Sequence, residues 1–310
     1  QNSIGYFAQK SNFTNEGTIA VNTPNRSGNK AVLLKGDSKI GTNFTNTGDI
    51  SVQGSQNIGV YAEGKYTFNH EKNAAGTNKI SVGSNAIGIY AKDTTGTMNI
   101  KAPIELADSN GGTTIGIYSD GNATINFEDN SKLKIGKGAI GLFSQNTTKF
   151  KDTFKFNNTS SKQLEISLDE NSAFAFFNGS GNIDIATEAI NKQVKFTQMK
   201  KGATFGYAKG TSVVSLGDNI DMTVTAKFAT PEDGTSVLVA SEGATVKLSP
   251  SKTLKATTHI GLVATNGSAS TKPKAINEGT IEFERVEGVG LYANNLSEAT
   301  NETTGKITMK

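Results

Sequence analysis

Large apolar side chains return along this chain in a five-residue phrase set between polar, turn-forming stretches. The clearest copies are Ile58-Gly59-Val60-Tyr61-Ala62, Ile87-Gly88-Ile89-Tyr90-Ala91, Ile115-Gly116-Ile117-Tyr118-Ser119, Ile140-Gly141-Leu142-Phe143-Ser144 and Val289-Gly290-Leu291-Tyr292-Ala293. Weaker copies begin at Ile4, Val32, Phe174, Phe205, Val237 and Ile260. The steps between first residues run 28, 26, 29, 28, 25, 34, 31, 32, 23 and 29, so eleven copies recur about every 28 residues. A fixed period of that kind marks a repeat architecture. First and third residues of a strand share a face, so this register predicts one continuous pair of apolar columns. The second position is mostly Gly or Ala, and the fourth is aromatic at Phe7, Tyr61, Tyr90, Tyr118, Phe143, Phe177 and Tyr292. A register slipped by one in the Phe-rich copies would turn Ala173 and Ala175 inward and leave holes, so the filled register is the one expected.

A second phrase joins a turn to an alternating strand. Asn15-Glu16-Gly17-Thr18-Ile19-Ala20-Val21 sets it, and Asn46-Thr47-Gly48-Asp49-Ile50-Ser51-Val52 and Asn277-Glu278-Gly279-Thr280-Ile281-Glu282-Phe283 repeat it. Between them the alternation persists as Ile80/Val82, Ile125/Phe127, Ile166/Leu168, Ile183/Ile185, Met222/Val224 and Val246/Leu248. Asn and Gly tolerate positive φ, which suits a sharp bend before each strand. A third short strand is expected around Phe13, Phe44 and Phe68.

Two or three short strands per repeat, with no helical period, predict a right-handed parallel β-helix of about eleven coils. With coils about 4.8 Å apart, that is a rod roughly 50 Å long. Propeller blades need about 40 to 50 residues each, longer than this step. The chain reads as a single β-helix over 1–310, with regular coils at 1–144, longer and degenerate coils with possible loop insertions at 145–236, and regular coils again at 237–310. It opens inside one repeat and stops inside another, as an uncapped piece of a longer array would.

Composition narrows the function. A hydrophobic fraction of 35% and 34 glycines fit a narrow core wrapped in polar turns. The net charge is +3, with signs scattered and only Arg26 and Arg285 among the arginines, so no basic stripe for nucleic acid is expected. Without cysteine there is neither a disulfide framework nor a thiolate metal site. No apolar run approaches the about 18 residues of a membrane-spanning helix.

Catalytic chemistry has little to build on. The two histidines, His70 and His259, lie about seven coils apart and both read as surface residues. Carboxylates are the remaining option, with Asp184, Asp218 and Asp221 in neighbouring coils, while Glu282, Glu284 and Glu287 read as an outward strand face. No catalytic residue, metal ligand or cofactor is expected. The binding candidates are the stacked column Tyr61, Tyr90, Tyr118 and Phe143, and the longer coil bearing Lys149, Lys151, Phe154 and Lys155. The aromatic column reads either as a platform for sugar rings or protein side chains, or as rings laid over the glycine of an adjacent coil. Phe150, Phe154 and Phe156 also read as one more strand facing the core.

The alternation of "IGIYA", "IGVYA" and "VGLYA" with "TNEGTI" and "NTGDI" resembles the passenger domains of large type V autotransporter adhesins, of the fusobacterial kind. The resemblance runs over essentially the whole chain and rests on scaffold motifs. It implies export through the outer membrane, extracellular display on the bacterial surface, and attachment to a host-cell glycan or protein receptor or to a partner bacterial surface. Two other readings share the rod: a vacuolating-toxin-like passenger acting on host membranes, and a polysaccharide-acting β-helix enzyme.

Overall fold

The computed structural model describes residues 3–23, 25–37, 39–92, 95–120, 122–128, 130–146, 153–156, 163–185, 194–217, 219–222, 235–257, 260–284 and 288–310. Among them every regular element is a strand, and no helix is long and apolar enough to cross a membrane. The strands pair in parallel, each with its counterpart in the next coil, which makes the chain a parallel β-solenoid. It has about nine turns, slightly fewer than the eleven coils expected. The chain divides into two compact units, 1–145 with 151–165, and 146–150 with 166–310.

In the first unit three sheets wrap one core. The phrase forms the first face, as Ile4–Gln9, Lys30–Lys35, Ile58–Glu63, Ile87–Lys92, Ile115–Asp120 and Ile140–Asn146. The expected third strand is present and forms a second face, including Asn12–Asn15, Thr42–Asn46, Tyr66–His70, Gly96–Ile100 and Ala123–Phe127. The second phrase supplies the third face through Thr18–Asn22, Asp49–Gln53 and Ile80–Val82, followed by Ile104–Leu106 and Lys132–Ile135. Ile125 and Phe127 belong to the second face, where Phe13, Phe44 and Phe68 stack with ring centroids 4.8 and 5.2 Å apart. In the second unit the strands Ala173–Asp184 and Thr204–Leu216 are long enough to serve the first face and the next one in a single run.

The register of the first face differs from the one expected. Ala173, Thr204 and Ser236 align with Ile260 as first positions, which puts Phe174, Phe205 and Val237 at the second. Lys30 aligns with Ile58, so Val32 is a third position. Positions two and three are both buried, and volume trades between them. Gly88 precedes Ile89 in a regular coil, whereas Phe174 precedes Ala175 and Phe205 precedes Gly206. Phe174 and Phe205, stacked 5.0 Å apart, fill the space that the slipped register had been expected to leave empty. The first position is less completely enclosed than the third: Ile58 is 8% and Ile115 7% exposed and Ile87 half-buried, against 0% for Val60 and Ile89.

Asparagine acts through its side chain in the Asn-x-Gly turns, not through positive φ. Asn15, Asn46 and Asn277 keep ordinary backbone angles and point inward. Asn46 Nδ2 donates to the Gly48 carbonyl at 2.8 Å, and Asn15 Nδ2 donates to Asn46 Oδ1 at 2.7 Å, linking one coil to the next. Gly48 is needed for space, since a Cβ there would run into the Gly17 carbonyl. Asn29 and Asn57 form a second buried pair at another corner, 3.0 Å apart.

On the outer side of the second face Asn69, Asn99 and Asn126 form a third chain of amides at 2.7 Å per step, beside Thr67, Thr97 and Thr124. Asn99→Ala interrupts this half-buried chain. It is expected to cost about 1 kcal/mol, read as a shift of the urea midpoint.

Candidate binding face

The first face of the first unit carries the sequence-selected aromatics. After the buried third position, the strands alternate: the fourth residue points out, the fifth packs inward as Leu34, Ala62, Ala91 and Ser119, and the sixth points out again. Parallel register then lays Tyr61, Tyr90, Tyr118 and Phe143 in one column. All four rings are half-buried. Their centroids are 5.2, 4.6 and 5.1 Å apart, with interplanar angles of 13, 12 and 5°. The rings therefore lie on each other, not on the glycines of adjacent coils. Each inner ring has both faces closed by its neighbours, so a sugar ring cannot stack there; edges and phenolic hydroxyls are what the column presents.

Its ends and flank are polar. Lys30 Nζ sits 5.2 Å from the Tyr61 centroid, a cation over the end of the stack. Tyr118 Oη donates to Gln145 Oε1 at 2.7 Å. Burial pushes the Tyr118 hydroxyl up to about 12, with Tyr90 and Asp120 adding to it, so it stays a neutral donor through the physiological range. At the sixth position runs a row of alternating charge, Lys35, Glu63, Lys92 and Asp120, whose first two members form an ion pair at 3.0 Å.

The other candidates lie elsewhere. Lys149 and Lys151 fall outside the described residues, as does Phe150. Phe154 and Lys155 belong to Thr153–Phe156, whose backbone registers with Ile125 and Asn126 on the second face, so the structure does not join them to the aromatic column. Phe156 is buried.

No family model matches the chain, and no curated protein does. Among solved structures, the crystal structure of a TibC-catalysed, hyper-glycosylated TibA fragment aligns over 98% of this chain and 99% of that one, at 10% identity and a TM-score of 0.25. A likeness at that level carries no weight for function.

The histidine reading is corrected by burial. His70 is fully enclosed in Tyr66–His70, where Asn46 Nδ2 approaches Nδ1 at 3.1 Å and Nε2 lies 3.1 Å from the Pro103 carbonyl. An amide N–H can only donate to Nδ1, so the ring is neutral with its proton on Nε2. His259 and Asp218 fall outside the described residues. Asp184 is exposed at the end of its strand and Asp221 half-buried beside Lys255. Among the described residues, no three of His, Asp and Glu gather as a metal ion would need.

Among the described residues of the first unit, two open clefts were not anticipated. One, about 310 Å³, is bordered by Ser51, Gln53, Ser81, Glu105 and Lys134 on the third face. The other, about 460 Å³, lies on the second face by Asn43, Lys65, Thr67, Thr97 and Thr124. The recurring Thr-x-Asn of Thr67, Thr97 and Thr124 was the sequence signal for that polar surface.

Proposed function

We propose that the chain is part of the passenger region of a type V (autotransporter) surface adhesin of the fusobacterial kind, displayed outside the bacterial cell. Its aromatic column would contact a host-cell glycan or protein receptor, or a partner bacterial surface. The observation that carries this reading is the unbroken outward stack of Tyr61, Tyr90, Tyr118 and Phe143. A structural core has no need of ring edges turned outward at one half-buried position in coil after coil. Repetition also suits adhesion, because several weak contacts in a row gain by avidity. Closed ring faces favour contact through hydroxyl hydrogen bonds and edge packing, which a protein surface or a glycan's hydroxyls both accept.

Beads coated with the chain are expected to attach to epithelial cells or to other bacteria, and a glycan array separates sugar from protein receptors. Replacing both Tyr90 and Tyr118 by Ser is expected to lower attachment by about tenfold or more, the loss of roughly 1.4 kcal/mol at each site of contact. Undiminished attachment by the folded double variant would refute the assignment of this face.

A further inference from the structure

We propose that the first face of the first unit pairs with the same face of a second copy of this chain, in a two-fold dimer whose coils run in opposite order. The argument rests on the two outward columns. The fourth-position column reads Leu33, Tyr61, Tyr90 and Tyr118, apolar or aromatic throughout. The sixth-position column on the same strands reads Lys35, Glu63, Lys92 and Asp120, in charge plus, minus, plus, minus.

A two-fold contact requires a surface that is its own complement. Consider a two-fold axis parallel to the strands, midway between Ile58–Glu63 and Ile87–Lys92. It reverses the order of coils while keeping each column opposite itself. Lys35 then faces Asp120 of the second copy, and Glu63 faces its Lys92, so every charge in the row meets its opposite. Along the neighbouring column Tyr61 faces Tyr90 and Leu33 faces Tyr118, ring edge toward ring edge. Moving the axis onto a coil sets like charges opposite each other, for instance Glu63 on Glu63. Moving it by a whole coil leaves part of the row facing an uncharged residue, Gln9 or Gln145. The sequence of signs therefore selects one register.

The two columns divide the work. Exposed ion pairs of this kind each contribute little, since water screens them and Lys35 and Glu63 already pair within one copy. The half-buried rings supply the apolar contact, and the charges choose orientation and register. The pairing uses the column that the receptor reading also uses, so on one copy the two contacts exclude each other. A charge-swap mixing experiment leaves the tyrosines intact and tests the pairing separately from attachment.

Sedimentation equilibrium of the 310-residue chain across a range of concentrations tests it. A reversible dimer is expected, weakened about tenfold or more by combining Tyr90→Ser with Tyr118→Ser. The decisive measurement is a mixing experiment. Glu63→Lys and Lys92→Glu each place like charges across the two-fold axis, so each variant alone is expected to stay monomeric. Mixed together they restore Lys against Glu at both contacts, and a heterodimer should form. Hydrogen exchange of the first-face amides confirms that each variant is folded. A chain that stays monomeric to about 100 µM, weaker than roughly −5.5 kcal/mol of association, overturns the proposal. So does a dimer indifferent to the Tyr substitutions, as pairing through the exposed Ile4 or Ile307 would be, or a mixture that associates no better than its parts.

Discussion

Phe68→Ala is expected to destabilise the first unit by about 3–5 kcal/mol, the usual penalty for deleting a fully enclosed aromatic ring. Phe68 is 0% exposed and stacks on Phe44 at 5.2 Å and 17°, while its next-coil register partner is Met98. Truncation leaves a void in the middle of a column whose members are held by backbone pairing on either side. Parallel strands at fixed spacing cannot close over it without breaking their own hydrogen bonds, so little relaxation is available. Phe68→Leu keeps most of the volume and should cost roughly 1.5 kcal/mol or less. The readout is hydrogen exchange of amides in Thr42–Asn46, Tyr66–His70 and Gly96–Ile100, which reports this unit separately from the second. A loss under about 1 kcal/mol for the alanine variant would show that the stack is not what ties these coils together.

Between pH 6.5 and about 4 the first unit is expected to lose stability because of His70. Burial lowers its pKa to about 4, while the Pro103 carbonyl, the Asn46 contact and the charge of Asp49 partly oppose that shift. The unfolded chain, with an ordinary histidine, takes up a proton below 6.5 that the folded chain refuses until about 4. Protons bound preferentially by the unfolded state lower stability as pH falls. The stability is thus complete above about 6.5, declines through the window, and levels off below 4, for a total on the order of 3 kcal/mol. The geometry explains the refusal, since a proton on Nδ1 would point at the Asn46 amide hydrogens. His70→Asn extends the amide chain of Asn15 and Asn46 and has nothing to titrate at this position, so the part of the decline that His70 causes should be absent from its profile. Asp37 acts later. Hydrogen bonds from the Ile40 amide, then Lys10 and the Lys39 amide, hold its carboxyl well below the usual range, so what it contributes is lost only below about pH 3.8. A wild-type profile without a slope between 6.5 and 4 would contradict a neutral, enclosed His70.

The fold was legible because backbone pairing in a solenoid forces like positions over like. The recurrence of Ile58, Ile87 and Ile115, and of Tyr61, Tyr90 and Tyr118, is a record of that pairing, and it led to the parallel coils and the aromatic column alike. The strand around Phe13, Phe44 and Phe68 could be read from the same logic. Copies without glycine at the second position were harder. In Phe174-Ala175 and Phe205-Gly206 the large and small residues exchange places, and a one-dimensional pattern cannot tell an exchange of volume from a slip of register. His70 was misread for a related reason: its neighbours look turn-like, and only the coil before and the coil after supply the Asn46 amide and the Pro103 carbonyl that make an enclosed imidazole tolerable.

The sequence by itself determined the period, the all-β parallel architecture and the residues that stand at equivalent places in successive coils, because those follow from side-chain size and alternation along one strand. Only the tertiary structure decided which way each equivalent residue faces and what it meets there. Whether Asn46 bends the chain or bonds across coils, and whether the tyrosines lie on glycine or on one another, depends on groups some 28 residues away along the chain. Those groups come within a few ångströms only once the coils have closed.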